Sequence, residues 1–124
     1  MKRFVATCLL ALSAAAVHAQ SPADFPADAT VPSADALRAA FADRTWTAKL
    51  ADGNGWKLQF KGNGHYFIDT TSGFHDNGQW KTEDGRLCTV PRKTKASCNE
   101  VRGQEAGSLL LRRESGEIVR LVAN

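Results

Sequence analysis

The chain is poor in the residues that most often announce chemistry. Its 124 residues include three cysteines, three histidines, one tyrosine and one methionine. Cys8 and His18 lie near the start, which leaves Cys88, Cys98, His65 and His75 for the rest. No Cys-x-x-Cys or His-x-x-x-His pair occurs, so the close ligand pairs of structural zinc sites are missing. A redox dithiol would also want Cys-x-x-Cys at a helix start. No serine or cysteine nucleophile motif is present, and no cofactor or metal is implied. A long apolar run is lacking too. Phe4–Val17 is the longest, and it falls short of the ~20 residues that span a bilayer. Nothing resembles a βαβ unit, an internal repeat or a low-complexity tract.

What stands at the start reads as an address. Lys2 and Arg3 precede the apolar run, and Val17-His18-Ala19 offers small or medium residues at −3 and −1 before Gln20. This is the tripartite pattern of a secretory signal peptide over 1–19. A lipoprotein anchored at Cys8 is the alternative, but too little apolar sequence precedes that cysteine. The expected location is periplasmic or secreted. Losing Lys2 and Arg3 leaves 14 basic against 13 acidic side chains. The basic balance of the whole chain is then no argument for nucleic-acid binding.

After the signal, residues 20–32 ("QSPADFPADATVP") are rich in Pro, Ala and Asp and read as a flexible leader. Residues 33–124 suit a single domain of modest core. "SADALRAAFADRTW" predicts one short helix over about 33–42. Ser33 is its N-cap, and Leu37 and Phe41 lie across the core. From Arg44 on, alternation of period two takes over. Trp46, Ala48 and Leu50 share a face, as do Trp56, Leu58 and Phe60. "KGNG" (61–64) carries the Asn-Gly pair that type I′ hairpins favour. In "HYFID" either Tyr66 and Ile68 or His65 and Phe67 face inward. "TTSGFHDNG" (70–78) reads as a longer polar loop. "SLLLRR-ESG-EIVRLV" reads as a hairpin with Leu109, Leu111, Ile118 and Leu121 as burial candidates. Turn signals every 8–12 residues predict an antiparallel up-and-down barrel or half-barrel of seven or eight strands.

Four groups of side chains are candidates for function. Cys88 and Cys98, an even pair in an exported protein, are expected to form a disulfide that staples a β-hairpin. Arg86, Arg92, Lys93 and Lys95 crowd the ends and tip of that hairpin. They are either an anion-contact loop or solvated charges that discourage edge pairing. No aromatic residue interleaves with them, so stacking on bases is unsupported. Trp46, Trp56 and Trp80 either line a ligand cavity or fill the core. His65, Tyr66, Asp69, His75 and Asp76 lie in one hairpin and its loop, where a His–Asp acid–base pair can be imagined.

The helix, the Gly-x-Trp strand at Gly78–Trp80, the acidic-Gly turn, Leu87-Cys88 and Cys98 together form a pattern. Over residues 33–102 it resembles a family of small exported bacterial proteins of uncharacterised function. Ala42-Asp43-Arg44-Thr45 stands where that pattern has Gly-Lys-Thr. The resemblance implies export and a lipocalin-like or half-barrel β fold. Size, architecture and a single disulfide are also similar to the small periplasmic barrel that inhibits secreted metalloproteases. The expectation is a monomeric, non-enzymatic binding or interaction module of unknown protein partner or small apolar ligand. It would have no nucleic-acid partner and no membrane span. A lipocalin-like carrier, a protease inhibitor and a small hydrolase using His65 or His75 stay open as alternatives.

Overall fold

The computed structural model describes residues 24–124, so the expected signal peptide over 1–19 and Cys8 lie outside the described residues. One helix precedes eight strands. Helix α1 is Ala34–Phe41; the strands are β1 Arg44–Lys49, β2 Gly55–Phe60, β3 His65–Thr70, β4 His75–Glu83, β5 Arg86–Pro91, β6 Ser97–Gly103, β7 Leu109–Arg112 and β8 Ile118–Ala123. Each strand pairs antiparallel with the next, and β1 closes on β8 to complete a barrel. The closing ladder is short, with Trp46 opposite Ala123 and Thr47 opposite Val122.

The helix starts where expected. The Ser33 hydroxyl accepts from the Ala36 N–H at 3.1 Å, and Asp84, from the β4–β5 turn, accepts from the Ala34 N–H at 2.8 Å. Two of the orphan donors at the N-terminus are thereby satisfied. Leu37 and Phe41 are fully buried. Thr82 donates to the Ala34 carbonyl and Arg38 to that of Gly62, which holds the helix across one end of the barrel. Asp43, with φ 58°, makes the turn out of the helix, and its carboxylate accepts from the Gly62 N–H at 2.8 Å. Asp is among the few non-glycine types that tolerate this conformation.

Four of the hairpins share one turn. The N–H of Gly53, Gly64, Gly73 and Gly116 each bonds the carbonyl three residues earlier, and each of these glycines has φ near 90°. Such φ values suit glycine because it carries no Cβ. At 61–64 this differs from the type I′ expectation, since φ is positive at Gly64 but not at Asn63. The turn takes a four-residue form in which the left-handed residue follows the bend.

The expected loop over 70–78 is largely strand. Only the turn around Ser72 remains, and β4 begins at His75. Asp76, Gly78 and Trp80 are its inward residues. Gly78 has to lack a side chain, because a Cβ there would collide with the Val90 carbonyl oxygen and crowd Pro91 Cα. In β3 the inward pair is Tyr66 and Ile68, with His65 and Phe67 outside. In β8 the buried residues are Val119 and Leu121, while Ile118 is only half-buried. Ile118 and Leu121 differ in parity, so a pleated strand cannot send both inward.

Of the segment read as a flexible leader, residues 24–32 lie against the barrel. Thr30 and Gly103 exchange backbone hydrogen bonds at 3.1 and 2.8 Å, and the Pro32 carbonyl accepts from Gly85 N–H at 2.8 Å. Phe25 sits under the guanidinium groups of Arg102 and Arg112.

Candidate functional site

The barrel interior is divided. At the helix end it is packed with aromatic rings. Phe41 lies 5.5 Å from Trp46, 4.8 Å from Phe60 and 6.4 Å from Trp80, and Phe60 lies 5.4 Å from Trp80. The tilted and edge-on geometries are those that ring quadrupoles favour. Trp80 also donates its indole N–H to the Lys61 carbonyl at 2.9 Å. Trp46 and Trp80 are therefore core. Trp56 is not. It is half-buried at the opposite end, where a cavity of about 430 Å³ opens.

The walls of that cavity are apolar side chains of the inward alternation. Trp56 and Leu58 come from β2, Ile68 from β3, Leu87 from β5 and Leu111 from β7. Polar groups share the lining, among them Tyr66, Asp76 and Thr89 from the strands and Thr94, Lys95, Arg113, Glu114 and Ser115 from the loops at the open end. Asp76 is only 5% exposed. Its Oδ1 accepts from the Asn77 N–H at 2.8 Å, and the Lys93 N–H reaches Oδ1 at 3.3 Å and Oδ2 at 3.1 Å. Asp76 thus anchors the β5–β6 loop to β4. Burial raises the Tyr66 hydroxyl above its ordinary pKa, the hydrogen bond with Thr89 works against this, and the Asp76 charge adds to the rise. The three groups therefore meet in one electrostatic neighbourhood, with Tyr66 present as a phenol.

At the rim the charges are matched. Lys95 Nζ lies 3.7 Å from Glu114. Arg113 bonds Glu117 at 2.6 Å and covers the Trp56 ring at 5.1 Å. The bond with Arg113, and a second from the Ala51 N–H, hold the Glu117 carboxyl below its usual range.

The four cations of the hairpin do not act as one group. Arg86 sits at the helix end of β5, where it pairs with Glu83 at 2.7 Å. Arg92, Lys93 and Lys95 lie at the other end of that six-residue strand, about 16 Å or more away. Lys93 turns its ammonium onto the His75 carbonyl at 2.6 Å and over the Phe74 ring. Arg92 is exposed.

The His–Asp group is also split by the pleat. His75 Nδ1 and Asp69 Oδ1 are 2.6 Å apart, both exposed, on the outside of β3–β4. His65 is outside as well, while Tyr66 and Asp76 are inside. Neither His75 nor Asp69 is part of the cavity lining.

Cys88 and Cys98 are bonded across β5 and β6 as direct register partners. Among the described residues, Glu83 joins these two sulfurs as the grouping with ligand atoms within 4.8 Å of one another, and the bond between the sulfurs leaves neither as a thiolate ligand. The staple lies one register pair from the end of the β5–β6 ladder. It fixes the root of the loop that carries Lys93 and Lys95.

Sequence reasoning had no reason to single out Thr89 and Arg113. The alternation Leu87, Thr89, Pro91 along β5 was the available signal for Thr89. For Arg113 the partner Trp56 is 57 positions away, and no local pattern joins them. No helix among the described residues is long and apolar enough to cross a membrane. No protein family, curated protein or solved structure matches this chain.

Proposed function

We infer that this chain is an exported, non-enzymatic binding module that takes a small, largely apolar ligand into the open end of its barrel. The observation that carries this reading is the divided interior, packed at the helix end and hollow at the other. The hollow has the size of small-molecule sites, and its strand-borne wall is mainly apolar with Tyr66, Asp76 and Thr89 set into it. The signal-like start and the disulfide support export.

The test uses a neutral apolar fluorophore, N-phenyl-1-naphthylamine. Saturable one-to-one binding that quenches tryptophan emission is expected in the wild type. The quenching should shrink in Trp56→Phe, and binding should be lost in Ile68→Trp, which fills the cavity from its wall. Absence of saturable binding, or equal binding by Ile68→Trp, would sink the reading.

A further inference from the structure

Resting on that reading, the geometry points to a specific ligand class: an organic ammonium ion with a flat or apolar body, its cationic end held at Asp76. Asp76 is a buried carboxylate in the lining of the open-ended cavity. It is 5% exposed, and none of the ion pairs among the described residues involves it. A buried charge without a counter-charge is costly, and a cationic partner relieves that cost. The carboxylate also has capacity left. It offers about four acceptor positions, while two backbone N–H groups, from Asn77 and Lys93, point at it. The Lys93 ammonium bonds the His75 carbonyl and not the carboxylate.

The surroundings suit the same ligand. Tyr66, Phe74 and Trp56 line the cavity together with Asp76, and ring faces attract ammonium groups; Phe74 and Trp56 already carry Lys93 and Arg113 over one face each, which leaves Tyr66 beside the carboxylate. The two cations in the lining itself have acidic partners, Lys95 with Glu114 and Arg113 with Glu117. A buried carboxylate with aromatic rings beside it favours an amine over a carboxylic acid of the same shape.

The experiment compares three probes of one skeleton: 3-phenylpropylamine, 3-phenyl-1-propanol and 3-phenylpropanoate. Each competes for N-phenyl-1-naphthylamine at pH 7 with the disulfide intact. The amine is expected to bind at least tenfold more tightly than the alcohol, and the carboxylate most weakly. In Asp76→Asn, which keeps an acceptor for the two backbone N–H groups, the advantage of amine over alcohol should vanish. Equal binding of amine and alcohol, or tighter binding of the carboxylate, overturns the assignment while leaving the cavity reading intact. Failure of the fluorophore itself to bind overturns both. The wild-type ranking decides the matter even if Asp76→Asn does not fold.

Discussion

Breaking the Cys88–Cys98 bond should cost this barrel a defined amount of stability. The crosslink spans a sequence separation of 10. A loop of that length restricts the unfolded chain by about 9 cal/mol/K in the chain-entropy account, which is about 2.7 kcal/mol at room temperature. Unfolding in urea, with the protein oxidised and then fully reduced, measures the loss without altering the sequence. With a slope of roughly 1–3 kcal/mol per molar, the midpoint should fall by roughly 1–3 M. The slope itself should rise slightly, because the reduced unfolded chain is less restrained. Cys88→Ala/Cys98→Ala should reproduce the reduced midpoint. If oxidised and reduced midpoints coincide within about 0.3 M, the loop-entropy reasoning is wrong for this hairpin. That result would mean the β5–β6 pairing already persists in the unfolded chain.

Two further outcomes are expected. Tyr66 is the single tyrosine, so absorbance at 295 nm reports it alone; it should ionise above 10.0 in the native barrel and near 10.0 in denaturant. The native state then holds its proton longer than the unfolded state, so this stabilising contribution is complete below pH 10 and is lost as pH rises through the native pKa. Tyr66→Phe should flatten that alkaline limb, and a native titration at or below 10.0 would refute the burial argument. Gly78→Ala should destabilise by about 1–3 kcal/mol, because the neighbours in the way are backbone atoms of β5 rather than side chains that can swing aside. A melting temperature unchanged within 2–3 °C would show that the strands part without cost.

The fold was largely legible because most of its signals are local. Ser33, Leu37 and Phe41 mark a helix by spacing alone, and Trp46, Ala48 and Leu50 show which face of β1 is inside. The first half of β4 was not legible, and the reason is physical. Asp76 and Gly78 take inward positions that a barrel normally gives to apolar residues, so the alternation vanished and the composition resembled a loop. Those positions differ because one borders a cavity and the other a close approach of β5. The site was hidden by the same cause. Asp76 could be noticed beside two histidines in the sequence, but which side of the sheet it faced depended on the strand being there at all. The tryptophans divided for a related reason. Their inward parity was readable, yet their position along the barrel axis, which separates Trp46 and Trp80 from Trp56, depends on register between distant strands. The same holds for the cations, where Arg86 and Lys95 stand on one hairpin but at opposite ends of it.

The eight-strand wall is a run of hairpins fastened to itself once. Seven of its ladders join strands adjacent in sequence, and only β1 with β8 joins the two extremes. That fastening consists of two register pairs, helped by the Asn124 N–H bonded to the Thr45 carbonyl at 3.0 Å. Unfastening it would disturb no hairpin and would leave the staple untouched. It would turn a surface without margins into a sheet with two, one bordered by Thr45 and Thr47 and the other by the exposed Val122. Free margins of this kind recruit other strands. Residues 122–124 therefore keep both of these margins covered, although they lie at the other end of the barrel from the cavity.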